Sequence, residues 1–172
     1  MESKSIIIFG GGGHGKTVID LLRAIERYHL AGVVDDHLPA GSSVLGVPVL
    51  GGSALLPDLM VQGVHLAVNA VGGIGNVDAR IKVFDLLQGA GFDFPTLVHP
   101  SAVIDASAIL ASGVQVLALA YVSADSRIGF GTLLNAGAIV SHDGHLGQVV
   151  NLSPGAKLAG RVTLEDYSQV GM

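Results

Sequence analysis

The chain has 172 residues, 49% apolar and only 13% charged, enough to bury a sizeable core in one large domain or two small ones. A net charge of −5 with no run of lysine or arginine offers no face to nucleic acid, and the lack of cysteine excludes disulfides, cysteine-rich zinc sites and a thiol nucleophile. The first apolar stretch, Ile6–Phe9, is far too short for a signal peptide or a membrane span, so no membrane insertion is expected and a cytoplasmic location fits.

Residues 1–94 alternate strand and helix signals. Ser5–Phe9 reads as a buried parallel strand running into glycines. Thr17–Tyr28 carries apolar residues at Val18, Leu21, Leu22 and Ile25, a helical stripe. Leu30–Val34 reads as a second strand closing on Asp35-Asp36, His65–Ala70 as a third, and Asp78–Ala90 as another amphipathic helix. The β-α-β…β-α order predicts a small Rossmann-like parallel sheet, with a boundary at Phe94-Pro95 and a second domain over 95–172.

The glycine loop between the first strand and helix fits two generic patterns. Gly10-Gly11-Gly12-Gly13-His14-Gly15-Lys16-Thr17 matches GxxxxGK[ST], and Gly10, Gly12 and Gly15 match GxGxxG. Both imply backbone N–H groups and a helix N-terminus turned to an anion. A P-loop hydrolase also needs a carboxylate at a later strand end to hold magnesium. Here that strand reaches Asn69, whereas Asp35-Asp36 stand where a nucleotide-binding unit places a ribose- or base-contacting acid. His14 and Lys16 could approach phosphates. A loop that simply packs closely, a solvated Lys16 and an ordinary strand-end turn at Asp35-Asp36 remain the alternatives.

After Pro95 the period changes. Val98, Ile104, Leu110, Val116, Val122, Ile128, Leu134, Val140, Leu146, Leu152, Leu158, Leu164 and Val170 follow one another at intervals of six, thirteen branched aliphatics without a break. Two residues before each stands a small or β-branched residue. Neither helix nor alternating strand has this period. It predicts a triangular coil of short strands, each face stacking one aliphatic inward, with three hexapeptides per 18-residue turn and about four turns.

In this frame, call the inward aliphatic i. His142 is i+2 of Val140 and Asp143 is i+3, so both face out at a corner. Residues 18 apart stack on adjacent coils about 4.8 Å apart. His142 therefore sits between Ala124 and Gly160, two minimal side chains that leave room beside the ring. An outward histidine beside a carboxylate is an arrangement suited to general-base chemistry. His142 suits the base, with Asp143 orienting it and favouring the imidazolium.

The strict period resembles the hexapeptide-repeat transferases. His99-Pro100-Ser101-Ala102-Val103, Asn135–Asp143, Ser153–Gly160 and Gly10–Lys16 together resemble the sugar acyltransferases of the PglD/NeuD type, over essentially the whole chain. The resemblance implies a left-handed parallel β-helix and acetyl transfer from acetyl-CoA to the amino group of a nucleotide-activated amino sugar. No metal and no NAD would be needed. Gly10, Gly11, Gly12, Gly13, His14, Gly15, Lys16, Asp35 and Asp36 would hold the nucleotide part, and Asn135 the acceptor sugar. The Gly160 N–H would contact the acyl carbonyl. The resembled enzymes are homotrimers with the site between neighbouring β-helices. O-acetylation of sialic acid or another surface sugar is the nearest alternative. A non-catalytic nucleotide-sugar-binding or structural solenoid is the alternative of another class.

Two departures matter. Many relatives carry a second histidine nine residues after the first. Here Asn151 stands there, able to donate to a carbonyl of acetyl-CoA but not to move a proton. His145 reads as a bystander and His99 as a structural corner. The repeat also stops at Gly171-Met172, two residues into a hexapeptide, where relatives continue with coils that form much of the coenzyme A groove. A truncated chain with impaired donor binding is the expectation.

Overall fold

The structure, a computed structural model, describes residues 4–72, 75 and 77–171. The chain divides into two compact units, one of Met1–Gly72 with Asp78–Pro95, the other of Gly73–Val77 with Thr96–Met172.

In the first unit β1 (Lys4–Phe9) leads into α1 (Gly13–Ile25), then β2 (Tyr28–Val34), a hairpin of β3 (Ser43–Val44) and β4 (Val47–Gly51), a 3-10 turn (Ser53–Leu55), α2 (Leu56–Val61), β5 (Leu66–Asn69) and α3 (Val77–Gly89). The sheet order is β3-β4-β2-β1-β5, parallel except for β3. Ile6, Ile7 and Ile8 are completely buried, as a central strand covered on both faces requires.

Two expected boundaries moved. α1 starts at Gly13 rather than Thr17, because the last glycines of the loop already adopt helical geometry behind an extended Gly12. It stops at Ile25, where Glu26 turns left-handed (φ 53°) and donates its N–H to Leu22 O, and β2 begins three residues later. The β3–β4 hairpin and α2 were not expected. The hairpin turns on Leu45 and Gly46, both with positive φ (48° and 79°), the requirement of a type I′ turn. Asn-Gly announces such a turn in a sequence; Leu-Gly does not.

In the second unit, thirteen two-residue strands run among the described residues from Leu97–Val98 to Gln169–Val170, each closing on one of the thirteen aliphatics. They pair in parallel with partners 18 residues away, as Tyr121 with Ile139 and Arg127 with His145, and so form three sheets. All thirteen aliphatics lie in one core with most of the small residues that precede them. Where that residue is polar, its hydroxyl finds an internal partner: Ser126 donates to Ser141 O (3.0 Å) and Thr132 to Gly147 O (3.0 Å).

The corners obey a second rule. From Gly113 to Tyr167, the residue at i+3 always has positive φ. Four are glycine; Leu119, Asp125, Asp143, Val149, Arg161 and Tyr167 are not. From Gly131 onward the i+3 amide donates to the i+2 carbonyl one coil earlier, as Asp143 N to Ala124 O (3.0 Å) and Arg161 N to His142 O (2.9 Å). The backbone thus places His142 and Asp143 at successive positions of one corner, directly beneath Gly160 and Arg161.

Candidate active site

Two regions hold the residues singled out in the sequence. In the glycine loop, the five glycines divide into two kinds. A Cβ on Gly10 would press on the Ala70 backbone at 3.2 Å, one on Gly11 would overlap the Leu38 side chain, and one on Gly15 would overlap the Gly10 carbonyl oxygen. These three are needed for packing. A Cβ on Gly12 or Gly13 would meet nothing within 4 Å, so the bare backbone before and within the first turn of α1 faces open space. His14 is half-buried and Lys16 exposed beside it.

Asp35 and Asp36 have backbone partners of their own. Asp35 accepts the Gly11 N–H at 2.7 Å on one oxygen and the His37 and Leu38 N–H groups at 2.8 and 3.1 Å on the other. Burial pushes its carboxyl pKa up, but the three N–H bonds outweigh that and hold it below the usual carboxylate range. Asp36 accepts the Ser53 N–H at 2.6 Å. Asp35 therefore clasps the glycine loop, and Asp36 the turn after β4.

Sequence reasoning missed Arg80, which is 1% exposed on α3. Its Nη1 donates to Asn69 O (3.2 Å) and Val71 O (2.7 Å), Asn69 returns a bond to Arg80 O (2.8 Å), and the guanidinium lies over the Phe84 ring. Burial pulls its pKa down to about 10. Arg80 braces the end of β5, and Ala70, which follows, donates to Phe9 O (2.8 Å) at the start of the glycine loop.

At the solenoid corner, His142 Nδ1 and Asp143 Oδ2 are 2.8 Å apart, with side chains 60% and 47% exposed. The carboxylate can only accept, so Nδ1 carries the proton and Nε2 is the basic nitrogen. The hydrogen bond from His142 lowers the Asp143 pKa, opposed by desolvation and helped by the charge of His142 and then by that of Arg161, whose Nε is 3.9 Å from the same oxygen. The space expected beside the ring is filled by the ring itself. A Cβ on Gly160 would lie 2.5 Å from His142 Nε2 and 2.6 Å from Cε1. Gly160 is thus the seat of the imidazole, a role the frame did not suggest. Arg161, 18 residues after Asp143, was legible in that frame and missed.

Asn135 and Asn151 form a separate pair. Asn135 Nδ2 donates to Leu152 O (2.7 Å) and to Asn151 Oδ1 (2.9 Å). Because the Leu152 carbonyl only accepts, this orientation of both amides is forced. It leaves Asn151 Nδ2 buried and without a partner, in a residue 2% exposed. Asn135 follows the strand Leu133–Leu134 and His142 follows Ile139–Val140, strands of different sheets. The two therefore occupy successive corners of the prism, not one cluster. His145 is exposed on the next strand, and His99 accepts from Ser101 N at 3.1 Å at its corner. Among the described residues no group of histidines and acids could hold a metal, and no helix is long and apolar enough to cross a membrane.

Comparison with known proteins agrees with this layout. Residues 5–87 match the PglD N-terminal domain. GDP-perosamine N-acetyltransferase of Escherichia coli O157:H7 is 28% identical over 169 residues, 95% of this chain and 74% of its own length. UDP-N-acetylbacillosamine N-acetyltransferase of Bacillus subtilis (strain 168) is 33% identical over 121 residues, 67% of this chain and 52% of its own. A mutant of perosamine N-acetyltransferase from Caulobacter crescentus, solved with CoA and GDP-perosamine, superposes with a TM-score of 0.86 at 38% identity over 94% of this chain and 74% of that one. The acetyltransferase domain of PglB from Neisseria gonorrhoeae FA1090, solved with acetyl coenzyme A, gives 0.86 at 34% identity over 98% and 80%. The solenoid is the left-handed parallel β-helix of these enzymes, and the chain belongs to the PglD/NeuD-type family of hexapeptide-repeat sugar acyltransferases.

Proposed function

We propose that this chain transfers an acetyl group from acetyl-CoA to the amino group of a nucleotide-activated amino sugar, with His142 as general base. The observation that carries this is the exposed His142–Asp143 pair, whose 2.8 Å bond fixes Nδ1 as donor and leaves Nε2 as base. The relatives support the substrate class, since they act on GDP-perosamine and UDP-N-acetylbacillosamine and two solved neighbours hold CoA or acetyl coenzyme A.

The amine binds unprotonated or first loses a proton to solvent. As its nitrogen attacks the thioester carbon, Nε2 takes one of its two protons, the other remaining on the amide, and Asp143 stabilises the imidazolium. The carbon–sulfur bond then breaks, and the imidazolium returns the proton to the departing thiolate. The Gly160 N–H is the proposed oxyanion contact. The nucleotide is held by the open backbone of Gly12 and Gly13 with His14 and Lys16, while Gly10, Gly11, Gly15, Asp35 and Asp36 hold the loop that presents them. Asn135 and the strand residue Asn151 belong to another face of the prism from His142, and we assign them to the site of a neighbouring copy. We propose a homotrimer, in which Asn151, buried in the single chain, turns its amide outward to meet a carbonyl of acetyl-CoA.

Thiol release from acetyl-CoA, measured against a panel of UDP-, GDP- and dTDP-amino sugars, tests the reading. At least one sugar should support turnover, and His142→Ala should lower it about 10³-fold with an unchanged melting curve. Equal turnover in wild type and variant would sink it.

A further inference from the structure

We infer that Arg161 is a positioning residue for the His142–Asp143 pair, engaging the carboxylate that holds the imidazole and so setting how strongly it acts on the ring. Nothing in the repeat demands arginine here. The i+3 corner favours glycine, and Arg161 sits at φ 62°, a region that costs an L-residue about 1 kcal/mol. At the equivalent position one hexapeptide earlier the chain does use glycine, Gly155.

The backbone puts Arg161 one coil above Asp143, with its N–H on His142 O (2.9 Å). From there Nε stands 3.9 Å from Asp143 Oδ2, the same oxygen that takes the His142 Nδ1 proton. A hydrogen bond and a longer ion pair thus meet on one oxygen. Gly160 and Arg161 stand side by side: the glycine admits the ring, and the arginine lies in ion-pair range of the carboxylate that orients it.

Other charges around the corner are few. His145, on the next strand, also acts on Asp143. Arg127 stands beside His145 in register, and Asp125 is the i+3 residue one coil before Asp143. Among the described residues, only Arg161 brings a permanent positive charge into ion-pair range of Asp143. With its side chain 82% exposed the interaction is screened and its effect modest.

Removing the Arg161 charge leaves Asp143 to act on His142 alone, so the imidazolium is stabilised and the titration midpoint of His142 rises. The test is an NMR titration of the full chain labelled with ¹⁵N-histidine, with His142→Gln assigning the signal. Arg161→Gln should raise the midpoint by about 0.5 pH unit. Arg161→Lys should restore it to within about 0.1 unit, 1 M salt should shrink the difference, and in an Asp143→Asn background most of it should vanish. Equal midpoints in wild type and Arg161→Gln would overturn the inference, as would a shift that persists fully without Asp143.

The kinetic consequence rests on the proposed role of His142. The acid limb of kcat/KM should move by the same amount, about a threefold loss well below the midpoint. A titration shift in a chain that releases no thiol would support the positioning role and count against the proposed activity.

Discussion

Gly15 and Gly160 both stand where a Cβ would collide, but with different neighbours. At Gly15 the neighbour is the Gly10 carbonyl, fixed in the backbone of a strand-to-helix turn. At Gly160 it is the imidazole of His142, a side chain 60% exposed that can swing away. One glycine is required by the fold, the other by the proposed chemistry. The difference teaches that a glycine's role is legible from what it touches, not from the motif it belongs to. Within the glycine loop itself a Cβ on Gly12 or Gly13 would meet nothing, although the motif treats all five alike.

Substitution should separate the two regions. Gly160→Val should displace the imidazole and lower turnover about 10²-fold, equivalent to about 2.7 kcal/mol, with little change in the thermal melt. A large loss of melting temperature with wild-type turnover would invert the comparison. Gly15→Ala should do the opposite and destabilise the α/β unit by about 2 kcal/mol in denaturant titration.

Asp35 gives a smaller, pH-dependent effect. Its pKa is lowered in the folded chain, so its stabilisation is present above the unfolded value of about 3.9 and is lost as pH falls through the folded value. Between pH 5 and 3 the wild type should lose stability faster than Asp35→Asn, and the two melting curves should converge at low pH. The smallest structural effect belongs to Gly12→Ala, within about 0.5 kcal/mol of wild-type stability. There the readout is a raised KM for the nucleotide sugar at constant kcat. A raised KM would tie the open backbone to ligand, and an unchanged one would reduce it to a turn.

The solenoid was the more legible half. Each aliphatic from Val98 to Val170 packs mainly against its own coil and the next, so a local rule of six repeats directly in space. The same frame located His142, Asp143 and Gly160 on one corner. It did not show where the ring would lie, because a rotamer is set by the hydrogen bond to Asp143 and the room above Gly160 together. Nor did it show that Asn151, outward in the frame, is 2% exposed. The α/β unit was legible in its long elements and not in its short ones. β3 and β4 are held by a Leu45-Gly46 turn with no propensity signal, and Asp35 reads identically whether it meets a ribose or the Gly11 amide.

The left-handed corners carry a consequence of another kind. Ten successive corners take a backbone that glycine adopts freely, and Asp143 and Arg161 are among the six that adopt it with a side chain. Replacing either by glycine would relax the chain at that turn while dismantling the dyad's support. A selection for heat resistance alone would therefore be expected to strip the corner of its working parts, and a selection for turnover to keep them against that gradient.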